Sequence, residues 1–358
     1  MALLQRLPHI ARKPLLTGLD IGSHSIKLVR LKARQGSYQL VNFGVMPLPA
    51  RAIVDHTILD EGGVVTAIRN LVRMEQISAK DTAVALPGQA VLTKTLRLPR
   101  MRDRELAEAM QWEAEQHIPF DMADVNLDFR ALPSGNEPGG QMDVLLVAAQ
   151  KARVADRTAL LTAAGLRPVV VDSDALALAN AFEAAHGLAQ VPTALADIGA
   201  STMNVNIVAN GTTLFQRAVA IGGDRYTSAV QTAFGVDHDE ADALKMGRGH
   251  LDAAHRETLL DCLATVSDEI GGELQRSFDL FRASTHRNVD RVVISGGCAR
   301  IKGLDHFFSA HLGLPVNVAN PFDRMDCNDS QFDATYLQDM APLAAVAVGL
   351  ALRRRGDR

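Results

Sequence analysis

One pattern near the start of the chain recurs in its second half. At 19–27 an apolar run ends in Asp20, a glycine turn follows, and the chain resumes as a strand. At 196–208 the chain again runs from an apolar segment through Asp197 and a glycine turn rich in hydroxyl groups into a second strand. The two aspartates lie 177 residues apart, which is about one domain length. A repeat at this spacing favours a chain built from two related halves.

The turns in these two patterns are suited to binding phosphate. A tight glycine turn between strands presents successive backbone N–H groups, which form an anion-binding concavity. The candidate phosphate-binding residues are Gly22, Ser23, Ser25, Lys27, Gly199, Ser201 and Thr202. Asp20 and Asp197, each beside its turn, are candidate ligands of Mg²⁺, partly through water. Either pattern alone is also typical of an ordinary hairpin, but two of them facing each other across a cleft would suit a nucleoside triphosphate.

Two pairs of glycines extend this candidate site. Gly296 and Gly297 follow a predicted apolar strand, and residues without a Cβ allow the backbone to approach a flat ligand closely. Gly222 and Gly223 precede a predicted helix, whose N-terminal N–H groups favour an anion. Arg300, shortly after Gly296 and Gly297, is a further candidate nucleotide-binding residue.

Three of these motifs, the turn after Asp20, the turn after Asp197 and the Gly296-Gly297 pair, resemble in this order those of the actin-like ATPase superfamily. This superfamily includes actin, sugar kinases, the heat-shock chaperone ATPase domain and FtsA. They correspond to its phosphate 1, phosphate 2 and adenosine motifs, and the resemblance extends from Leu15 to Leu352. It implies an α/β protein with the actin-like ATPase fold: two lobes of duplicated ββ-β-α-β-α units, with an FtsA-like inserted module in the first lobe. It also implies ATP or ADP, together with Mg²⁺, as ligands.

The resemblance assigns roles to further residues. Asp242 and Lys245, at i and i+3 on a predicted polar helix, would contact ribose and adenine, and a surface ion pair is the alternative. Asp172, at the end of a short apolar strand, is the candidate catalytic residue, and Asp174 is the predicted N-cap of the next helix. Helix capping by both aspartates is the alternative interpretation. Asn204 stands where chaperone members have aspartate, so we expect slow or absent hydrolysis.

The chain divides into segments around two predicted lobes. Trp112, on a predicted helix of the inserted module, is expected to belong to its core. The predicted segments are a flexible N-terminal arm at 1–14, a first-lobe core at 15–87 completed by 168–192 and 331–353, an inserted β-α-β-β-α module at 88–167 with a Gly/Pro-rich turn at 133–140, a second-lobe core at 193–235 and 259–330, a small second-lobe subdomain at 236–258, and a basic tail at 354–358.

The inserted module, the segment at 172–177, the second glycine turn and the short C-terminal region together resemble the PilM family of type IV pilus assembly proteins. This implies a cytoplasmic nucleotide-binding adaptor, held at the inner membrane only through partners. The N-terminal cytoplasmic peptide of PilN would bind in a groove between the first lobe and the module, for which the strand at 91–98 is a candidate. Other inner-membrane and motor subunits of the pilus are further implied partners, and self-association is left open.

Three alternatives stay open at this point: an actively hydrolysing ATPase, an FtsA-like cell-division filament protein, and the equivalent adaptor of type II secretion. Composition argues against other classes. The net charge of −4 provides no general attraction to nucleic acid. No apolar run approaches the roughly 20 residues needed to span a bilayer. The three cysteines, Cys262, Cys298 and Cys327, lack metal-ligand spacing and are predicted to pack as small apolar residues in a reducing compartment.

Overall fold

The computed structural model describes residues 14–54, 56–132, 140–249 and 251–357. Except for Pro14 and Gly140, the predicted N-terminal arm and the Gly/Pro-rich turn lie outside these ranges. The strands are β1 (Thr17–Ile21), β2 (Ser25–Ala33), β3 (Tyr38–Pro47), β4 (Ile53–Val54), β5 (Thr57–Ile58), β6 (Asp81–Leu86), β7 (Val91–Pro99), β8 (Val125–Ala131), β9 (Gln141–Gln150), β10 (Arg167–Ser173), β11 (Thr193–Ile198), β12 (Met203–Ala209), β13 (Thr212–Val219), β14 (Arg291–Ser295), β15 (Val316–Val318) and β16 (Met325–Asp326). The helices are α1 (Glu61–Met74), α2 (Asp103–Glu115), α3 (Lys151–Ala163), α4 (Asp174–His186), α5 (Gly223–Phe234), α6 (His238–Lys245), α7 (Ala253–Thr285), α8 (Leu304–Leu312) and α9 (Ala334–Ala351). Within the described ranges, no helix combines the length and the apolar character needed to cross a bilayer.

The two largest sheets have the same order over five strands, and the first has a sixth, short strand, β16, beside β3. In the first lobe β3, β2 and β1 are antiparallel neighbours, and β6 and β10 continue the sheet in parallel. In the second lobe β13, β12 and β11 are antiparallel neighbours, and β14 and β15 continue the sheet in parallel. A short turn suffices between antiparallel strands, whereas parallel strands require longer crossovers. Each repeated Asp-Ile-Gly segment therefore ends the central strand of its own sheet.

Local sequence accounts for the helices that cover these sheets. In α1 the buried residues Val64, Ile68 and Leu71 recur at helical spacing, which gives the helix one apolar face. The Asp60 side chain accepts a hydrogen bond from the Gly63 N–H at 2.9 Å and so caps the N-terminus. The apolar face packs against β1 and β2 in the first-lobe core.

Two helices rich in small residues, α4 and α9, pack tightly against each other and against the first-lobe sheet. A Cβ added to Gly349 of α9 would lie 1.7 Å from the Ala177 carbonyl oxygen of α4. A Cβ added to Gly18 of β1 would lie 2.2 Å from the Ala347 carbonyl oxygen of α9. These approaches require glycine, because any side chain would occupy the space of another backbone. The C-terminal helix thereby closes the first lobe.

The inserted module has a core of its own. Its antiparallel sheet has the order β7-β9-β8, and α2 packs against it around Met110 and Leu146, which are fully buried. The predicted module at 88–167 also included α3. In the structure Leu160 and Leu161 of α3 instead pack into the first-lobe core. The reason is topological: α3 leads into β10, a parallel strand of the first-lobe sheet, and so it covers that sheet.

The prediction that Trp112 belongs to the core is wrong. Its side chain is 73% exposed on α2. The buried positions of α2 are Leu106, Met110 and Ala114, each four residues from the next. Position 112 lies midway between two of these and therefore on the opposite side of the helix.

The start and end of the described chain pack together. The Leu16 N–H donates to the Arg353 carbonyl oxygen at 3.0 Å, and Leu15 forms an antiparallel bridge with Arg354. The first residue of the predicted basic tail is therefore paired with the strand that leads into β1. In the second lobe α5, α6 and α7 share a separate small apolar cluster around Val230.

Candidate functional site

The two repeated turns have the same construction. In the first, the Gly22 N–H donates to the Ser25 carbonyl oxygen at 3.1 Å. In the second, the Gly199 N–H donates to the Thr202 carbonyl oxygen at 2.9 Å. Both turns lie at the C-terminal ends of central strands, the edge at which α/β sheets commonly bind ligands.

The turns meet across a cleft of about 340 Å³ between the lobes. Ser23 Oγ and Ser201 Oγ share a hydrogen bond of 2.9 Å, and Thr202 Oγ1 lies 2.9 Å from His56 Nε2. The cleft brings together these predicted site residues: Asp20, Gly22, Ser23, Ser25, Lys27, Asp197, Gly199, Ser201, Thr202, Gly223, Asp242, Lys245, Gly296, Gly297 and Arg300. Of the predicted set, Gly222 and Asp172 do not line it.

The two repeat aspartates face the cleft from opposite lobes. Lys27 Nζ lies 3.2 Å from Asp20 Oδ2. Ser295 Oγ donates to Asp197 Oδ1 at 2.9 Å. Burial, together with the neighbouring charge of Asp20, raises the pKa of Asp197 to about 6. A cation bound between these carboxylates would relieve their repulsion.

A third carboxylate, Asp174, also lines the cleft. Its Oδ2 accepts hydrogen bonds from the Gly88 N–H at 3.0 Å and from Asn204 Nδ2 at 2.9 Å. Burial is the main reason that the pKa of Asp174 rises to about 7. The prediction that Asp174 is the N-cap is wrong. Ser173 holds the cap position, and Asp174 is the first residue of α4. The Asp174 side chain instead joins α4 to the inserted module and to β12.

Asp172, the candidate catalytic residue, lies elsewhere. Its Oδ2 is 3.4 Å from Arg353 Nε, and its side chain is only 6% exposed. Its Oδ1 accepts a hydrogen bond from the Ser173 N–H at 2.8 Å. The strand β10 directs Asp172 toward the C-terminal segment, whereas the turn into α4 brings Asp174 to the cleft. The structure therefore places Asp172 outside the cleft between the lobes.

The double glycine at the start of α5 serves packing more than anion binding. The Gly223 N–H donates to the Gly199 carbonyl oxygen at 2.9 Å, and the Asp224 N–H donates to the Ala200 carbonyl oxygen at 2.8 Å. A Cβ on Gly222 would lie 2.6 Å from both of those carbonyl oxygens. The expected exposed N–H groups of this helix are thus already bonded to the second turn.

The other end of the cleft is suited to a flat ring. Nothing lies within 4 Å of the position that a Cβ on Gly297 would take, so this glycine leaves open space. Lys245 Nζ lies 2.5 Å from Asp242 Oδ1 and donates to Thr227 Oγ1 at 2.8 Å. Arg300 Nη2 lies 2.6 Å from Asp339 Oδ2. Lys245 and Arg300 are thus oriented by partners beside the cleft.

Several cleft residues carry no local sequence signal. Arg157 comes from α3, and His24 stacks on His238 from the other lobe with ring centroids 6.4 Å apart. Cys298 is buried in the cleft wall, and burial raises the pKa of its thiol to about 12, so it stays protonated. Among the described residues the cysteines are all free, with Cys262 and Cys327 partly buried.

Comparison with known proteins identifies the family. A family model described as type IV pilus assembly protein PilM matches residues 18–355. The chain belongs to this family. A chain of the solved PilM-PilN type IV pilus biogenesis complex is 27% identical, with a TM-score of 0.83 over 95% of this chain and 98% of that chain. The sequence-based assignment to PilM-like type IV pilus assembly proteins is confirmed.

More distant relatives agree on the fold. The ethanolamine utilization protein EutJ from Carboxydothermus hydrogenoformans has a TM-score of 0.59 at 16% identity, over 95% of this chain and 89% of EutJ. The cell division protein FtsA from Streptococcus pneumoniae is 23% identical over 266 residues, which are 67% of this chain and 57% of FtsA. The PilM-family chain thus matches little more than half of FtsA. The predicted actin-like α/β fold is confirmed.

The cleft carboxyls predict a pH dependence for the nucleotide-free protein. The pKa is about 7 for Asp174 and about 6 for Asp197 in the folded protein. Both values exceed the pKa of about 3.9 that an aspartate has in the unfolded chain. The folded state therefore holds extra protons between these values, and its stability falls as pH rises from about 4 to about 7. The slope is at most about 1.4 kcal/mol per pH unit for each carboxyl.

Urea midpoints measured at pH 5, 6, 7 and 8 check this expectation. Asp174→Asn is the informative variant, because it removes one titrating group while keeping an oxygen that accepts from the Gly88 N–H. Its midpoint is expected to fall less between pH 5 and 7 than that of the unaltered protein. Equal slopes would contradict the assignment of a raised pKa to Asp174.

Proposed function

We propose that this PilM-family protein is a nucleotide-stabilised adaptor that binds the N-terminal cytoplasmic peptide of a PilN-like partner. The main support for this proposal is the pair of matched glycine turns that face each other across one cleft, with a carboxylate beside each. The nucleotide would hold the lobes together, and the partner would bind a second groove on the first lobe.

The cleft residues fit an ATP or ADP molecule. The donors of the two turns, with Lys27, would bind the polyphosphate, while Asp20 and Asp197 would bind Mg²⁺ through its waters. The open space beside Gly297 fits a flat base, and Lys245 lies within reach of the nucleoside. When bound, Mg²⁺ would offset the negative charge of both the phosphates and the two carboxylates.

A separate groove of about 620 Å³ lies between the inserted module and the first lobe, and the β12–β13 hairpin of the second lobe also lines it. Its module side consists of β8 and the half-buried side chains Leu145 and Val147 of β9. The opposite side includes Val171 of β10 and Leu176 of α4. The groove is therefore apolar on two walls, as a binding site for an apolar peptide requires. The strand predicted as the groove, at 91–98, contributes only Val91.

Two further features favour an extended peptide in this groove. The strand β8 is an edge strand, since among described strands it pairs only with β9, and an edge can accept an added strand. Ser173 Oγ is buried at the groove without a hydrogen-bond partner among the described residues, and Asp172 Oδ2 has only the 3.4 Å ion pair with Arg353 Nε. A peptide backbone could satisfy such atoms. Asp172, which is absent from the nucleotide cleft, is thus a candidate peptide contact.

The adaptor proposal is tested with a peptide that carries the N-terminal residues of the PilN-like protein encoded in the same organism. Val147→Glu would place a carboxylate on the apolar wall and is expected to weaken peptide binding at least about tenfold, since an unpaired charge would be desolvated. Gln141→Glu is the matched control, because Gln141 lies on the same strand but is exposed and outside the groove.

Peptide affinity is measured by isothermal titration, and bound nucleotide is measured by chromatography after denaturation. The proposal expects nucleotide in all three proteins and weak peptide binding only in Val147→Glu. Peptide binding that is equal in both variants would contradict this groove. A protein that holds no nucleotide, even after addition of Mg-ATP, would contradict the nucleotide part. Localisation at the inner membrane through partners is part of the same proposal.

A further inference from the structure

We propose that Arg157 is a ligand of the terminal phosphate of a bound nucleoside triphosphate and makes the cleft prefer triphosphate over diphosphate. This inference rests on the proposed nucleotide function and adds a residue that no glycine motif identifies. Arg157 lies on α3, a helix that the sequence predicts to belong to the inserted module.

The burial of Arg157 is unusual for an arginine. Its side chain is only 7% exposed, and its Nη1 atom forms no hydrogen bond to any described residue. A buried charged group without a partner is costly, so such groups normally have an anion beside them. The structure thus contains a desolvated guanidinium with a free donor in the wall of the cleft.

Three other cations that line the cleft are already paired. Lys27 lies 3.2 Å from Asp20, Lys245 lies 2.5 Å from Asp242, and Arg300 lies 2.6 Å from Asp339. Arg157 interacts electrostatically with Asp20 and Asp174, but its Nη1 atom has no hydrogen-bond partner among the described residues. A buried, charged donor without a hydrogen-bond partner favours an anionic ligand at this position. Guanidinium groups bind phosphate through two parallel N–H donors, a geometry that lysine lacks.

The position of Arg157 indicates which phosphate. Gly297 and Lys245 line the cleft from the second lobe, whereas the charge of Arg157 interacts with those of Asp20 and Asp174, at the first-lobe end. If the base lies beside Gly297, the chain of phosphates runs toward this end. Arg157 would then reach the phosphate that a diphosphate lacks.

Arg157 also lies on the wall between two cavities. Together with His56, Leu86 and Pro87, it lines both the nucleotide cleft and a side cavity between the module and the first lobe. The helix α3 begins directly after β9 of the module, at Lys151. A phosphate held by Arg157 would therefore be bound by an element that is covalently continuous with the module.

The experiment compares ATP and ADP binding by isothermal titration to nucleotide-stripped protein with Mg²⁺. Arg157→Gln is expected to lower ATP affinity at least about tenfold while changing ADP affinity less than about threefold, because only ATP has the contacted phosphate. Arg157→Lys, which keeps the charge, is expected to lie between. Arg153→Gln is the matched control: Arg153 lies one helical turn earlier, is exposed, and lines only the side cavity.

The outcomes separate this inference from the function on which it rests. If the unaltered protein binds neither nucleotide, the proposed function fails. If it binds both and Arg157→Gln weakens ATP and ADP equally, the residue has only a structural role and the inference is overturned. Unchanged ATP affinity in Arg157→Gln overturns it as well. Should Arg157→Gln fail to fold, Arg157→Lys decides: an ATP-to-ADP affinity ratio equal to that of the unaltered protein contradicts the inference.

Discussion

Asp20→Ala is expected to yield a protein that retains almost no nucleotide during purification. Asp20 is one of the two carboxylates proposed to hold Mg²⁺, and it lies 3.2 Å from Lys27, a proposed phosphate ligand. Its removal would eliminate a metal contact and free the lysine from its partner at the same time. We expect at least a tenfold loss of nucleotide affinity, which corresponds to about 1.4 kcal/mol or more.

The nucleotide content per mole of protein, measured by chromatography after denaturation, checks this result. Asp81→Ala is a suitable control, because Asp81 also belongs to the first-lobe sheet and also forms an ion pair, with Arg167, but lies outside the cleft. The control should retain as much nucleotide as the unaltered protein. An equal nucleotide content in Asp20→Ala and Asp81→Ala would show that Asp20 does not contribute to nucleotide binding.

The second large effect concerns the closure of the first lobe. Gly349→Ala is expected to destabilise the protein by more than about 2 kcal/mol, near the upper part of the range for overpacked cores. The added Cβ would lie 1.7 Å from the Ala177 carbonyl oxygen, which is backbone of α4 and cannot rotate away. The helices α4 and α9 would have to separate, and α9 also packs against β1 beside the first glycine turn.

The matched control has the opposite expected sign. Gly272 lies on the exposed side of α7, and nothing lies within 4 Å of the position its Cβ would take. Gly272→Ala should therefore stabilise the protein by up to about 1 kcal/mol, since alanine favours helix. Thermal melting of both variants provides the comparison. A melting temperature for Gly349→Ala at or above that of the unaltered protein would disprove the close packing of α4 on α9.

Much of the architecture could be predicted from local patterns. The repeated segments around Asp20 and Asp197 predicted two matched strand-turn-strand units, and both occur in sheets of the same strand order. Gly296 and Gly297, which the sequence predicts to lie beside a flat ligand, both line the cleft. These features depend on residues adjacent in the chain, where strand alternation and turn geometry act directly.

Other expectations failed because they depended on packing over long distances. Asp172 and Asp174 are equally good helix-start residues in sequence, but only the path of β10 into α4 decides which carboxylate enters the cleft. Trp112 is a large apolar residue, yet its side of α2 has no neighbouring element to cover it. Likewise, the sequence predicts free N–H groups at Gly223 and Asp224, but carbonyl oxygens of the second turn accept hydrogen bonds from both.

By itself, therefore, the sequence determined the duplicated α/β halves, the two glycine turns with their aspartates, and membership of the PilM family, since these are encoded in short contiguous segments. Only the tertiary structure decided that α3 packs on the first lobe, that Arg157 lines the cleft between the lobes, and that a second groove lies beside β8. The physical reason is that side chains from distant segments converge only after helices and sheets have buried their apolar faces against each other.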